Sequence, residues 1–137
     1  MKKYFITVDD EEQIRRLLKK VAKKACPDCE VHESEDGEQG YACLERLSEG
    51  NESKILLFTD HGMPKLNGLD MIKKMDKTGL RKNFKDSFDF YMCFSESQNY
   101  GEEIGKEAVR IYGAKGYLKK PVSVTDAKKI IEEYFKD

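Results

Sequence analysis

No apolar stretch in this 137-residue chain approaches the length needed to cross a bilayer. The amino terminus, MKKYFITVDD, reaches acids too soon for a signal peptide. These absences argue against a helical anchor and a secretory leader, so a soluble, cytoplasmic protein is expected. Neither sign of charge is in excess: 25 Lys and Arg stand against 26 Asp and Glu, for a formal net charge of −1. A nucleic-acid-binding domain normally carries a basic stripe, so that class is disfavoured. Lysines do cluster, at Lys19-Lys20, Lys23-Lys24 and Lys119-Lys120, but acids accompany most of them, and solvated helix faces are expected. Cysteine is also scarce. Cys26, Cys29, Cys43 and Cys93 are too few and too scattered for a disulfide framework. Cys26 and Cys29 have CxxC spacing, but no second CxxC or matching His pair completes a zinc site.

What remains fits one compact domain, residues 1–137, with no internal repeat, low-complexity tract or domain boundary. Strands and helices alternate along it. Tyr4 to Val8 is a short apolar run that ends on Asp9-Asp10. Ile14, Leu17, Leu18, Val21, Ala22 and Ala25 recur at helical spacing and predict a buried stripe, closed near Pro27. Cys29 to Glu33 reads as a polar strand, expected at a sheet edge. Asp36-Gly37 opens a second helix bearing Tyr41, Leu44 and Leu47, ended by Glu49-Gly50-Asn51.

Ile55 to Thr59 is apolar or β-branched throughout, suits a strand buried on both faces, and stops at Asp60. Met63-Pro64 and Asn67-Gly68 lead into a third helix with Leu69, Met71, Ile72 and Met75. A polar linker from Lys77 to Asp86 is longer than most connections in compact domains and predicts a mobile segment. Phe90 to Phe94 is a buried strand before Ser95. Ile104, Ala108, Ile111 and Tyr112 mark a fourth helix, Gly116 to Lys119 a short strand before Lys120-Pro121, and Ala127, Ile130, Ile131 and Tyr134 a last helix. Five such alternations predict an α/β, flavodoxin-like doubly wound (βα)5 fold with a parallel sheet. The apolar strength of the first, third and fourth strands favours the order 2-1-3-4-5.

That order gathers Asp9, Asp10, Asp60, Ser95 and Lys120 at the carboxyl edge of the sheet, where open α/β folds keep their ligands. Two unit charges about 4 Å apart repel by roughly 4 kcal/mol at an effective dielectric of 20, so three carboxylates call for a cation. Hard oxygen donors with room for water suit Mg²⁺, for which Mn²⁺ could substitute.

The chain resembles the receiver domains of two-component response regulators. The resemblance runs through Asp9-Asp10, Asp60 with Met63-Pro64 and Gly68, Ser95, and Gly113-Ala114 to Gly116-Tyr117 with Lys120-Pro121. It implies that Asp60 is a phosphoacceptor, taking a phosphoryl group from a sensor histidine kinase, a phosphotransfer protein or a small acyl phosphate. It further implies Mg²⁺ held by Asp10, Asp60 and the backbone carbonyl of Gly62, with Asp9 helping through water, and Lys120 neutralising the group in transit. Ser95 would be the switch hydroxyl and Tyr117 its aromatic partner, with output to a downstream protein on the fourth helix, fifth strand and fifth helix. The Lys120-Pro121 bond is expected to be cis. Such a protein modifies itself rather than turning over a separate substrate.

The chain is expected to carry no output domain after Asp137 and to act by protein contact, unless it is a piece of a longer regulator, with no direct nucleic-acid contact and no membrane insertion. Two departures stand out. Glu96 occupies a position usually filled by a small residue, and the hypothesis is that it slows phosphotransfer or narrows donor choice; an unchanged acetyl phosphate reaction in Glu96→Ala would sink it. Gly62 offers only backbone beside the acceptor.

The rival readings are plainer. A strand-terminal Asp alone is more often a helix cap, Ser95 a turn residue, Lys120 a solvated charge and Tyr117 an edge-strand packing residue. His61, beside Asp60, reads as local packing, because only His32 could partner it and that lies on another strand. A phosphorylation-independent interaction module with a vestigial site is the alternative from another class. A haloacid-dehalogenase-like phosphatase wants a second acid where Gly62 stands, and an FMN site would meet the repelling run Asp9-Asp10-Glu11-Glu12.

Overall fold

The computed structural model describes residues 1–50, 52–95 and 100–136. Asn51, Glu96 and Asp137 are outside the described residues, and so are the readings placed on them. The elements run β1 (Lys2–Val8), α1 (Glu12–Ala25), β2 (Glu30–Ser34), α2 (Gly37–Ser48), β3 (Ser53–Asp60), α3 (Gly68–Thr78), β4 (Phe88–Phe94), α4 (Gly101–Tyr112), β5 (Gly116–Lys119) and α5 (Val124–Phe135), with a single 3-10 turn at Arg81–Phe84. All strand pairs are parallel and the order is β2-β1-β3-β4-β5, as the apolar ranking predicts.

Alternation along the strands builds two cores, one on each face of the sheet. Ile6, Val8, Ile55, Leu57 and Phe90 point to one side and meet Leu44 of α2, Met71, Ile72 and Met75 of α3, and Ala108 of α4. Phe5, Leu56 and Phe58 point to the other and meet Leu18, Val21 and Ala22 of α1, and Ala127, Ile131 and Phe135 of α5. Each fully buried side chain of this size contributes about 1.5–3 kcal/mol. Polar β2 is an edge strand, as expected.

Two expectations need correction, and one rival reading falls. The segment Lys77–Asp86 is structured: α3 runs to Thr78, Gly79 takes a left-handed conformation (φ 79°), and the 3-10 turn follows. Leu80 and Phe84, two apolar residues in a polar stretch, are buried in the core, and Phe84 stacks on Phe88 with centroids 5.6 Å apart. Leu17 and Ile111 match the helical spacing but are exposed, because each helix buries a narrower stripe than its apolar content suggests. Neither Asp10 nor Asp60 is a helix cap: α1 begins after Glu11 and α3 after Asn67.

Candidate functional site

Parallel register sets the site. Val8 pairs with Thr59, so Asp9 and Asp60 leave adjacent strands side by side. Asp60 pairs with Cys93 and Phe94 with Lys119, which brings Ser95 and Lys120 to the same rim. The Lys120 amide donates to the Phe94 carbonyl at 2.7 Å, and the Lys120-Pro121 bond is cis.

The loop after β3 is held by backbone. His61 donates its N–H to the Cys93 carbonyl and accepts from Met63 and Gly68, at 3.0 and 3.1 Å. The Met63 bond makes a three-residue turn about Gly62. A Cβ at Gly68 would collide with the carbonyl of Asp60, so the chain returns past the acid only because this residue has no side chain.

Within that frame the carboxylates of Asp9, Asp10 and Asp60 bring one oxygen each to within 4.8 Å of one another. Asp9 and Asp60 are 2 % exposed, whereas Asp10 faces solvent. Lys120, 8 % exposed, reaches Asp9 Oδ2 at 2.7 Å, Asp60 Oδ2 at 3.2 Å and Glu11 Oε1 at 3.4 Å. Burial pushes the Asp9 carboxyl up to about 6, against hydrogen bonds from Lys120 and the Glu11 N–H, and the Asp60 charge adds to the rise. Burial works against the Lys120 charge too. Its hydrogen bond to Asp9 and the charges of Asp60 and Asp9 outweigh it, and the ammonium is held above its ordinary range.

Two members of this site escape sequence reasoning. Glu11 approaches Lys120 and donates its N–H to Asp9 Oδ1 at 2.9 Å; its place in the acidic run was the available signal. Arg15 donates to the Asp9 carbonyl at 2.7 Å and pairs with Glu33 at 3.5 Å, and no motif marks it.

Ser95 and Tyr117 line one hollow of about 420 Å³ together with Phe94, Tyr100 and Gly101. The Tyr117 ring lies against Phe94, centroids 5.9 Å apart, and rests on Gly105 of α4, where a Cβ would sit 2.7 Å from the ring. Burial lowers the pKa of half-buried His61, and its Nδ1 has no partner among the described residues. His32 packs on Tyr4. All four cysteines are buried thiols; Cys26 donates to Asp28, and burial pushes it up to about 12. Among the described residues the three acids form the one group placed so that it could hold a metal ion, and neither Cys26 nor Cys29 belongs to it. No helix among those residues is long and apolar enough to cross a membrane.

Known proteins are similar in sequence and in shape. Over 70 residues the chain is 34% identical to chemotaxis protein CheY1 of Helicobacter pylori, a match covering 51% of this chain and 52% of that one. It thus spans about half the length of these curated relatives. The structure of chemotaxis response regulator CheY4 of Vibrio cholerae superposes with a TM-score of 0.70 at 21% identity, covering 98% of this chain and 99% of that one. The response regulator domain of Thermotoga maritima CheB gives 0.71 at 24% identity, covering 98% and 96%. These structural likenesses carry the fold. The family model described as the response regulator receiver domain matches residues 5–132, nearly the whole chain. With the strand order and acid cluster in place, the chain belongs to the response regulator receiver family.

Proposed function

We propose that the chain is a cytoplasmic phosphoacceptor, modified on Asp60 by a sensor histidine kinase or phosphotransfer protein and read by a downstream protein. The observation that carries this is Lys120 spanning Asp9 and Asp60 beside the solvent-facing Asp10. Three carboxylates around one ammonium retain negative charge, and their hard oxygens with an open side fit a divalent cation. Asp10, Asp60 and the Gly62 carbonyl would hold Mg²⁺, and Asp9 would act through water. When bound, the metal supplies charge neutralisation at the phosphoryl oxygens.

The chain's own groups do the rest. An Asp60 oxygen attacks phosphorus as the bond to the donor nitrogen or acyl oxygen breaks, and the leaving group departs with the electron pair. Lys120, already against Asp60, meets the transferred oxygens, so catalysis consists largely of positioning and charge. Ser95 accommodates the new group from the end of β4. The adjoining hollow couples it to Tyr117, whose inward turn would alter the α4–β5–α5 face and shift its population between two states.

Acetyl phosphate with Mg²⁺ tests this by mass spectrometry of the intact protein. One phosphoryl group should be gained, and the gain should vanish in Asp60→Asn. No gain in the wild-type chain sinks the reading and leaves the phosphorylation-independent module.

A further inference from the structure

We propose that Cys26 and Cys29 form a thiol–disulfide exchange site, which reacts with a low-molecular-mass disulfide bearing carboxylates and closes to an internal disulfide. The pair lies between α1 and β2, at the amino edge of the sheet, whereas Asp60 stands at the carboxyl edge. Phosphoryl chemistry makes no use of it.

The run Cys26-Pro27-Asp28-Cys29 builds the geometry that such a bond needs. Helix α1 stops at Cys26, whose N–H donates to the Ala22 carbonyl at 2.8 Å, and Pro27 has no N–H with which to continue it. The Cys29 N–H then returns to the Cys26 carbonyl at 3.0 Å, closing a four-residue turn for which a proline in second place presets the backbone. Such turns hold their end Cα atoms within about 7 Å, and a disulfide spans roughly 4.4–6.8 Å. The side chains already meet: the Cys26 thiol donates to Asp28 Oδ1 at 3.2 Å and is in hydrogen-bond contact with Cys29. The other cysteines are placed differently. Cys43 belongs to the core on the other face of the sheet, and β1 and β3 lie between β2 and the strand of Cys93.

The two thiols are not equivalent. Cys26, though 4 % exposed, lines a cleft of about 580 Å³ between the ends of α1 and α5, and Cys29 is buried beside it. Around that cleft Lys3, Lys129 and Lys136 suit the carboxylates of a glutathione-like thiol, and Glu132 and Glu133 its ammonium. Burial raises the pKa of both thiols. On Cys26 the bond to Asp28 adds to the rise, whereas on Cys29 the hydrogen bond from Cys26 and the charges of Lys23 and Lys3 oppose it. Cys26 is therefore the entry sulfur and Cys29 the resolving one. With neither thiolate stabilised, exchange is slow but the disulfide is the favoured product.

The chemistry runs in two displacements. Cys26 loses its proton to solvent past Asp28 and attacks one sulfur of the small disulfide; that S–S bond breaks, and the departing thiolate takes the electron pair and a proton. Cys29 then loses its proton and attacks the Cys26 sulfur, expelling the second small thiol in the same way. Two protein thiols are oxidised by two electrons, and one small disulfide is reduced to two thiols. In a reducing compartment the bond is transient.

The probe is glutathione disulfide with an equal amount of glutathione, followed by mass spectrometry of the acid-quenched protein. The wild-type chain should end about two mass units lighter, with two of its four thiols protected from alkylation and recovered with dithiothreitol. Cys29→Ser should stop at a mixed disulfide with one glutathione, and Cys26→Ser should form about a tenth as much. Lys129→Ala with Lys136→Ala should slow the reaction about threefold. Asp60→Asn should oxidise as the wild type does, so a failure of the phosphoryl chemistry is read separately. Four thiols retained by the wild-type chain, a mixed disulfide that never resolves, equal trapping in the two serine variants or an unchanged rate in the lysine variant overturns the proposal.

Discussion

Lys120 binds Asp9 more closely than it approaches Asp60, at 2.7 against 3.2 Å. The resting ammonium is shared, with its stronger bond on the acid that is not the acceptor. Incoming phosphoryl oxygens therefore compete with Asp9 for Lys120. Lys120→Met should lose phosphate uptake, and without metal it strands two buried carboxylates. Urea denaturation should show a loss of about 3 kcal/mol, part of it restored by Mg²⁺.

Asp9 gives the metal-free protein an unusual pH response. Its folded pKa, about 6, lies above the ordinary carboxyl value because the group is buried. Between about pH 4 and 6 the unfolded chain has released a proton that the folded chain still holds. Metal-free stability should fall as the pH rises through that window, by up to about 3 kcal/mol, and stay level above it. Mg²⁺ displaces the same proton, so its affinity should weaken as the pH drops below 6. Melting curves and metal titrations at pH 4.5 and 7 measure both trends.

Gly68→Ala places a Cβ against the Asp60 carbonyl, a backbone atom that cannot step aside cheaply. A stability loss of about 2 kcal/mol or more is expected, together with slower phosphorylation because the acid itself must move. Gly50→Ala, where the nearest atom is 3.8 Å away, is the control and should change neither.

Arg81 ties the turn after α3 to the end of α4. Its guanidinium donates to the Tyr112 carbonyl, pairs with Asp76 at 3.4 Å and lies over the Phe90 ring at 5.2 Å. Arg81→Ala should cost about 1–2 kcal/mol and speed amide exchange in the last turn of α4 more than in α3. Equal acceleration in both helices would show that the tie is not local.

The sheet and the acid cluster were legible because β1, β3 and β4 are short apolar runs that end at or beside a residue of the site, and parallel pairing then fixes the neighbours. Asp9, Asp60, Ser95 and Lys120 need no more information than that. The segment at Arg81–Phe84 was not legible, since Leu80 and Phe84 are one apolar pair in a polar stretch and a single pair does not establish a periodic pattern. Glu11 and Arg15 escaped for a different reason. Their contacts come from where α1 starts and how it leans on β2, and side-chain pattern does not encode either.

Asp9, Ser95 and Lys120 stand just past the last paired residues of their strands, and Asp60 is the last paired residue of β3. A single residue inserted within β3 or β4 would carry its terminal group about 3.3 Å along the sheet and turn it to the opposite face. The loops at the other edge, after Ser48 and after Phe84, bear no such constraint. Changes of length are therefore tolerable only at the amino edge, where new segments can be joined without disturbing the distance from Lys120 to Asp60.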